Sequence, residues 1–301
     1  MRRFLLRTSL AALLFALLAV GLDAILGWCS FGRQFERYAD LNVIKAGDSS
    51  ADLVVIGNSR ARYHYDSRVI TRQLGRSCYN LGMIGYPVLD QLGKLRYHLK
   101  HNAMPRTVIV NLDPDSWSTL SRDTIIQYEQ FLDDIRDPVI LGMVRAKQGF
   151  RPSDPLPWAR FAGYPGYVWK MITCDTVTNC HAGFVADTTV MPAAALAKVL
   201  PPYQHDQRRF TAYLEAVRDH RDTYWPEARI VFVESPWFER REPVILPHLL
   251  PLLDRERETA LELDLSWAGD TTLFMNRTHL NAAGAARFSM LLCDSMRAAG
   301  L

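Results

Sequence analysis

Short apolar runs alternate with longer amphipathic stretches along most of the chain. The apolar, β-branched runs predict buried strands, at residues 53–56, 78–82, 107–112 and 229–234. The amphipathic stretches predict helices, at residues 68–74, 88–99, 125–144, 209–222, 252–263 and 282–298, and residues 263–267 predict a fifth strand. Because strands and helices alternate at this spacing, the pattern predicts an α/β domain whose parallel sheet is covered on both faces.

The N-terminal residues follow a different pattern. Arg2, Arg3 and Arg7 precede an apolar run over residues 10–29, which is interrupted only at Asp23. The run is just long enough to cross a bilayer, and the positive charges before it place the N-terminus in the cytoplasm. The pattern therefore favours a single-pass anchor in the inner membrane.

This anchor sets the predicted domain organisation. Residues 1–30 form the cytoplasmic tip and the transmembrane helix, residues 31–50 a polar stalk, and residues 51–301 an extracytoplasmic, periplasmic domain. The alternative is a secretory signal cut after a small residue such as Gly21 or Ala24, which would release the domain.

Composition narrows the classes of function. Hydrophobic residues make up 49% of the chain and charged residues 22%, as in globular proteins with a sizeable core. A formal net charge of +3 gives no electrostatic case for binding nucleic acid. The 5 cysteines include no Cys-x-x-Cys pair and the histidines no His-x-x-x-His pair, so no metal or other cofactor is predicted.

Residues 149–202 are rich in proline, tryptophan and tyrosine and predict a loop-rich insertion. Within it, Cys174 and Cys180 bracket a short polar loop and could close a disulfide in an oxidising compartment. The aromatic residues either pack the insertion or stack on sugar rings. Since binding residues concentrate in loops, we expect the insertion to take part in substrate selection.

Ser59 lies at a predicted strand-to-helix turn, Gly57-Asn58-Ser59. Such a serine can cap the helix through its hydroxyl, or it can act as a nucleophile at the carboxyl edge of the sheet. The loops that follow parallel strands gather at that same edge. We therefore expect residues 82–85 and 113–115 to lie beside Ser59.

A second block near the C-terminus pairs with this turn. It reads Asn276-Arg-Thr-His279-Leu-Asn281, with Gly284 soon after and an apolar helix behind it. Together the two blocks resemble the SGNH/GDSL hydrolase superfamily, in particular its membrane-anchored branch of alginate O-acetyltransferases and DltD-like proteins. The resemblance implies a flavodoxin-like three-layer α/β/α sandwich with a parallel sheet. It also implies a serine-dependent hydrolase or O-acyltransferase acting on a cell-envelope or exported polysaccharide.

Site residues follow from the same resemblance. Ser59 would be the nucleophile and His279 the base, oriented by residue 276. The backbone amide of Gly85, or else of Gly82, would join that of Ser59 in an oxyanion hole. A membrane-bound O-acyltransferase would be the partner that supplies the acyl group.

The sequence departs from the family pattern at two places. After the third strand, Asn111-Leu-Asp113-Pro-Asp115 stands where the family has Gly-x-Asn, and a carboxylate donates no hydrogen bond unless it is protonated. The missing donor would come from elsewhere, for example Asn58. The acid three residues before His279 is replaced by Asn276, so either Asn276 orients the ring or Asp270 takes over.

These departures leave three interpretations open. The first is an active envelope O-acetyltransferase or esterase. The second is a catalytically impaired subunit of the same fold, which binds glycan or assists an envelope acylation complex. The third is a lipase or thioesterase that takes a free acyl substrate.

Overall fold

Five short strands, four of them predicted apolar runs, form one parallel sheet. Its strands are β1 (Leu53–Ile56), β2 (Cys78–Asn80), β3 (Thr107–Leu112), β6 (Arg229–Glu234) and β7 (Glu258–Leu261). They lie in the order β2-β1-β3-β6-β7. This is the order of flavodoxin-like sheets, in which ligands bind beyond the carboxyl ends of the strands where the winding direction reverses. That point lies between β1 and β3, whose register pairs Val54 with Val108.

The computed structural model describes residues 1–31, 39–118, 134–145, 180–197 and 203–301. Its helices are α1 (Arg2–Phe31), α2 (Ala39–Ala46), α3 (Ser59–His64), α4 (Ser67–Leu74), α5 (Val88–His101), α6 (Asp115–Ser118), α7 (Pro138–Arg145), α8 (Ala193–Leu196), α9 (Gln207–Tyr224), α10 (Leu246–Leu249) and α11 (Ala282–Ala298). Two short antiparallel pairs complete the strands: β4 (Cys180–His181) with β5 (Phe184–Val185), and β8 (Phe274–Asn276) with β9 (His279–Leu280). The chain forms two compact units, one of residues 1–42 and 122–177 and one of residues 43–121 and 178–301.

Both faces of the sheet are buried. Alternate residues along the strands, such as Leu53, Val55 and Ile109, join a core with Phe288 and Leu292 of α11. The other strand residues point to the opposite face, because side chains alternate along a strand. That face is covered by α5 and α9, which pack on each other. The prediction of a mixed α/β domain with a parallel sheet is therefore confirmed.

Most predicted elements of the sheet unit are confirmed. Strands 53–56, 107–112 and 229–234 and helix 282–298 have the expected bounds, and the strand expected at 78–82 ends at Asn80. The predicted helix 252–263 and strand 263–267 are wrong, since the fifth strand is Glu258–Leu261. Arg218 and Arg221 neutralise the buried carboxylate of Glu258, and this ion pairing lets a charged residue begin a buried strand.

The N-terminal unit contains the predicted apolar helix. Within α1, residues Arg2–Ile25 are long and apolar enough to cross a membrane or to act as a signal sequence, and none of the most apolar window is buried. Asp23 is buried and lies 3.1 Å from the guanidinium of Arg136, so the one acidic interruption is ion-paired.

Two predicted segments, the stalk and the insertion, are described by the structure only in part. Helix α2 lies in the predicted stalk, with Ile44 fully buried. The predicted insertion is described only over residues 180–197, and Cys174 of the proposed disulfide lies outside the described residues.

Candidate active site

The turn that carries Ser59 is fixed by a glycine and an asparagine. Gly57 follows β1 with a φ of +151°, and a Cβ there would come within 2.7 Å of Ala61 Cβ and 2.9 Å of Asn111 Cβ. Asn58 Oδ1 accepts the backbone N–H of Arg60 at 3.1 Å and so caps α3. Ser59 is therefore the first residue of α3, and capping belongs to its neighbour.

His279 reaches Ser59 from the other end of the chain. It begins β9 and places Nε2 2.8 Å from Ser59 Oγ. The following Asn281 caps α11 by accepting the Gly284 N–H at 3.1 Å. A Cβ on Gly284 would overlap the carbonyl oxygen of Leu273, so this position accepts only glycine without displacement of the backbone. The spacing of the C-terminal block thus holds the imidazole in place.

Asn276 orients the imidazole through an acceptor atom. Its Oδ1 lies 3.1 Å from His279 Nδ1 and also accepts the backbone N–H groups of Thr278 and His279, at 2.9 and 3.0 Å. Because these backbone donors identify the atom as the oxygen, Nδ1 carries the ring proton. Nε2 is then left to accept the hydroxyl hydrogen of Ser59, which is the tautomer that a serine–histidine pair needs.

Asp270, the predicted alternative to Asn276, has another role. Its carboxylate accepts the backbone N–H of Thr272 at 2.9 Å and the hydroxyl of the same residue at 2.6 Å, at the start of a short 3-10 turn. Among the described residues, no carboxylate hydrogen-bonds to the His279 ring. The groups that hydrogen-bond to Nδ1 of the His279 ring, which form the base side of the site, are therefore uncharged.

A buried ion pair, which sequence reasoning missed, lies on the side of the site that carries Ser59, the nucleophile side. Arg60, 1% exposed, donates from Nε to Asp113 Oδ2 at 2.6 Å. It also donates to the backbone carbonyls of Leu112 and Ser235, each at 3.0 Å. Its guanidinium stacks on the indole of Trp237, 4.4 Å from the ring centroid. In the sequence this arginine follows Ser59 like any solvated residue of a first helical turn, so no local signal marks it.

A second histidine links the two halves of the site. His64, at the end of α3, accepts the backbone N–H of Leu280 through Nε2 at 3.0 Å. Its ring is fully buried and packs edge-on against that of His279, at 6.2 Å between centroids. Burial, followed by the charges of His279 and Arg60, holds the pKa of His64 well below its ordinary value. His64 therefore remains a neutral acceptor.

The electrostatics of His279 follow from burial and from Arg60. Burial and then the nearby guanidinium lower the pKa of His279 from 6.5 to about 4, and Asp113 acts in the opposite direction. A carboxylate partner would favour the imidazolium, but Asn276 is neutral. The ring is thus a neutral base at pH 7 whose protonated form is disfavoured.

The remaining predicted residues differ in their surroundings. The backbone N–H of Gly82 donates to Asn80 Oδ1 at 2.9 Å, so it is not directed at Ser59, contrary to its predicted place in the oxyanion hole. A Cβ on Gly82 would overlap the backbone nitrogen of Arg62, which makes it a packing glycine. Gly85 lies in an exposed turn with a φ of +77°. Asp115 begins α6, and its side chain is outside the described part of the structure.

Comparisons with known proteins give distant structural likenesses only. No protein-family model matches the chain, and no curated protein matches its sequence. A solved structure from Streptococcus pneumonia, provisionally named a platelet activating factor, has a TM-score of 0.42 and 11% identity, covering 95% of this chain and 98% of that chain. Another solved structure has a TM-score of 0.38 and 12% identity, covering 83% of this chain and 97% of that chain. The chemistry of the site therefore rests on its own residues.

Proposed function

We propose that this protein is a serine-dependent acyl-ester hydrolase or O-acyltransferase. The observation that carries the proposal is the 2.8 Å contact between Ser59 Oγ and His279 Nε2, with Asn276 Oδ1 opposite Nδ1. A hydroxyl, a neutral imidazole and an acceptor behind the ring form the arrangement that activates a serine for acyl transfer.

The reaction proceeds in two steps. Ser59 Oγ attacks the ester carbonyl carbon while its proton moves to His279 Nε2. The bond from the carbonyl carbon to the alkoxyl oxygen then breaks, and the imidazolium returns the proton to the departing oxygen. In the second step His279 takes a proton from the acceptor hydroxyl, whose oxygen attacks the acyl-enzyme. The bond between the acyl carbon and Ser59 Oγ then breaks, and the imidazolium returns the proton to Oγ. Water as the acceptor gives hydrolysis, and a sugar hydroxyl gives transfer.

Backbone amides are the proposed oxyanion donors. The N–H of Ser59 stands at the first position of α3, where it has no partner within the helix. The N–H of Gly85 is the proposed second donor. Asn58 accepts the Arg60 N–H through its side-chain oxygen, which leaves its side-chain NH2 as the proposed third donor, whereas Asp113 accepts from Arg60 and donates nothing.

The substrate class we propose is a cell-envelope or exported polysaccharide. It follows from an extracytoplasmic location of the domain, which the apolar Arg2–Ile25 stretch, with its three arginines at the N-terminal end, supports. A membrane-bound O-acyltransferase would then be the donor of the acyl group. A lipase or thioesterase with the same serine–histidine pair differs from this proposal only in the acyl substrate.

A second candidate function is a catalytically impaired, glycan-binding subunit of an envelope acylation complex. The specific observation in its favour is Asn276, which leaves the His279 cation without a carboxylate. A carboxylate at this position stabilises the imidazolium that forms during acyl transfer. The two candidates differ in whether Ser59 is reactive.

Intact-mass measurement with a fluorophosphonate decides between them. The full chain in detergent is compared with Ser59→Ala, with His279→Gln, and with Ser266→Ala as a matched control at an exposed serine. We expect one adduct on the wild type and on Ser266→Ala, and none on the other two variants. An unmodified wild type that is folded by circular dichroism would reject the enzyme and leave the binding subunit.

A further inference from the structure

Asp113 belongs to the third block, in which the family resemblance leads one to expect an oxyanion donor, and its partner explains why this residue is acidic. Its Oδ2 accepts from Arg60 Nε at 2.6 Å, and both side chains are at most 3% exposed. A buried carboxylate without a cation would carry a large desolvation penalty. The carboxylate of Asp113 in the third block therefore binds the guanidinium of Arg60 and not an atom of the substrate.

Arg60 joins the nucleophile turn to two strands of the sheet. It is the residue after Ser59, and its guanidinium donates to the carbonyl of Leu112 at the end of β3 and to that of Ser235 just after β6. The planar fork of an arginine fixes direction as well as distance in such contacts. Stacking on Trp237 restrains the guanidinium further.

We propose that the buried Arg60–Asp113 ion pair is the positioning element of this site: it fixes the Ser59 turn to the carboxyl ends of β3 and β6 and sets the charge that His279 meets. Its effect on catalysis rests on the proposed acyl-transfer function. The ion pair itself touches no reacting atom.

The surroundings of His279 support the electrostatic half of this proposal. Helix α3 presents Arg60, His64 and the ring of Tyr63 to it, and the His279 hairpin presents the neutral groups of Asn276 and Thr278. His64 is itself held neutral. Among the described residues, the charges that act on the pKa of His279 are those of Arg60, which lowers it, and Asp113, which raises it.

Replacing one partner or the other should therefore shift the pKa of His279 in opposite directions. An ion pair with a purely structural role would not produce opposite shifts. Removing the cation in Arg60→Gln should raise the pKa of His279, because a like charge is lost. Removing the anion in Asp113→Asn should lower it. Arg60→Lys keeps the charge but loses the fork, so the pKa should stay near the wild-type value while the geometry loosens.

Nuclear magnetic resonance of the full chain in detergent micelles measures these shifts directly. Histidines labelled with 13C at Cε1 are titrated in the wild type and the three variants, and the His279 signal is assigned by its loss in His279→Gln. Opposite shifts in Arg60→Gln and Asp113→Asn support the proposal. Shifts of the same sign, or an unchanged His279 in folded Arg60→Gln, overturn it. If Arg60→Gln does not fold, a lowered pKa in Asp113→Asn supports the proposal and an unchanged or raised one overturns it.

Labelling by the fluorophosphonate tests the positioning half separately. Arg60→Lys should react at least about tenfold more slowly than the wild type at pH 7 although His279 keeps its low pKa, because Ser59 is no longer held by the fork. An undiminished rate in this variant would overturn the positioning role. A wild type that does not react at all would reject the proposed function, whereas the titration would still judge the ion pair.

Discussion

The Ser59 side and the His279 side of the proposed site are held by different kinds of interaction. On the nucleophile side, Ser59 is fixed by a close-packed glycine turn and by a buried ion pair that ties Arg60 to the ends of two strands. On the base side, His279 Nδ1 lies beside the amide oxygen of Asn276 and the hydroxyl of Thr278, both neutral, and the ring has no ionic partner among the described residues. The buried charges thus lie where they position Ser59, and not where a carboxylate would stabilise the imidazolium of His279.

The largest effect is expected from Asn276. Asn276→Leu leaves only the Thr278 hydroxyl beside His279 Nδ1. A hydroxyl donates as readily as it accepts, so the ring is free to take the wrong tautomer, and the rate of fluorophosphonate labelling should fall roughly 1,000-fold. Asn276→Asp keeps the acceptor and adds a charge. It should raise the pKa of His279 and increase the rate about tenfold. A rate in Asn276→Asp below that of the wild type would show that the neutral base side is required.

The next largest effect is expected on the nucleophile side, from Gly82. A Cβ in Gly82→Ala would overlap backbone atoms of Arg62, which can only be relieved by moving α3. Overpacking of this kind costs about 1–3 kcal/mol of stability, and a displaced Ser59 should slow labelling about 100-fold.

Gly75→Ala is the matched control for this variant. Gly75 has a φ of +63° but open space around its Cβ position, so alanine should cost about 1 kcal/mol and leave the labelling rate unchanged. Thermal unfolding and labelling of the two variants separate the effects. Equal labelling rates would mean that Gly82 does not position α3.

A smaller effect is expected where the two sides meet, at His64. His64→Leu leaves the buried N–H of Leu280 without its acceptor and should cost about 1–3 kcal/mol of stability. His64→Gln offers an oxygen to the same N–H and should recover most of that loss, together with the labelling rate. If both variants lose the same stability, the hydrogen bond to Leu280 contributes little and packing of the ring dominates.

The smallest change in labelling rate is expected when only the pH is varied near neutrality. Labelling needs neutral His279, whose pKa is lowered to about 4, so the rate should be flat from pH 7 to 5 and fall by half near pH 4. A midpoint near 6.5 would contradict the uncharged base side. The stability of the fold should also decrease with falling pH. The unfolded chain binds a proton at His279 at a higher pH than the folded chain does, so the contribution of neutral His279 to stability is lost as pH falls from about 6.5 to about 4.

The sequence predicted those parts of the fold whose causes are local. The run Leu53–Ile56 is apolar throughout and Thr107–Leu112 at every position but two, and such runs are buried wherever the sheet forms. The strand Glu258–Leu261 was missed because its first residue is charged, and the cations that neutralise this charge, Arg218 and Arg221, lie some 40 residues earlier in the chain. The N-terminal apolar helix was found from composition alone.

For the site, the sequence by itself determined which groups can react, and the tertiary structure decided how they are held. Ser59 and His279 were named from two local blocks, since the turns around them need glycine and asparagine at fixed spacings. The roles of Arg60 and Asp113 could not be read there, because each looks like an ordinary charged residue until a partner 53 positions away is placed beside it. Gly82 was the alternative to Gly85 as a predicted oxyanion donor, but packing against α3 accounts for it. Local conformation is written in adjacent residues, whereas burial of a charge depends on what the fold brings next to it.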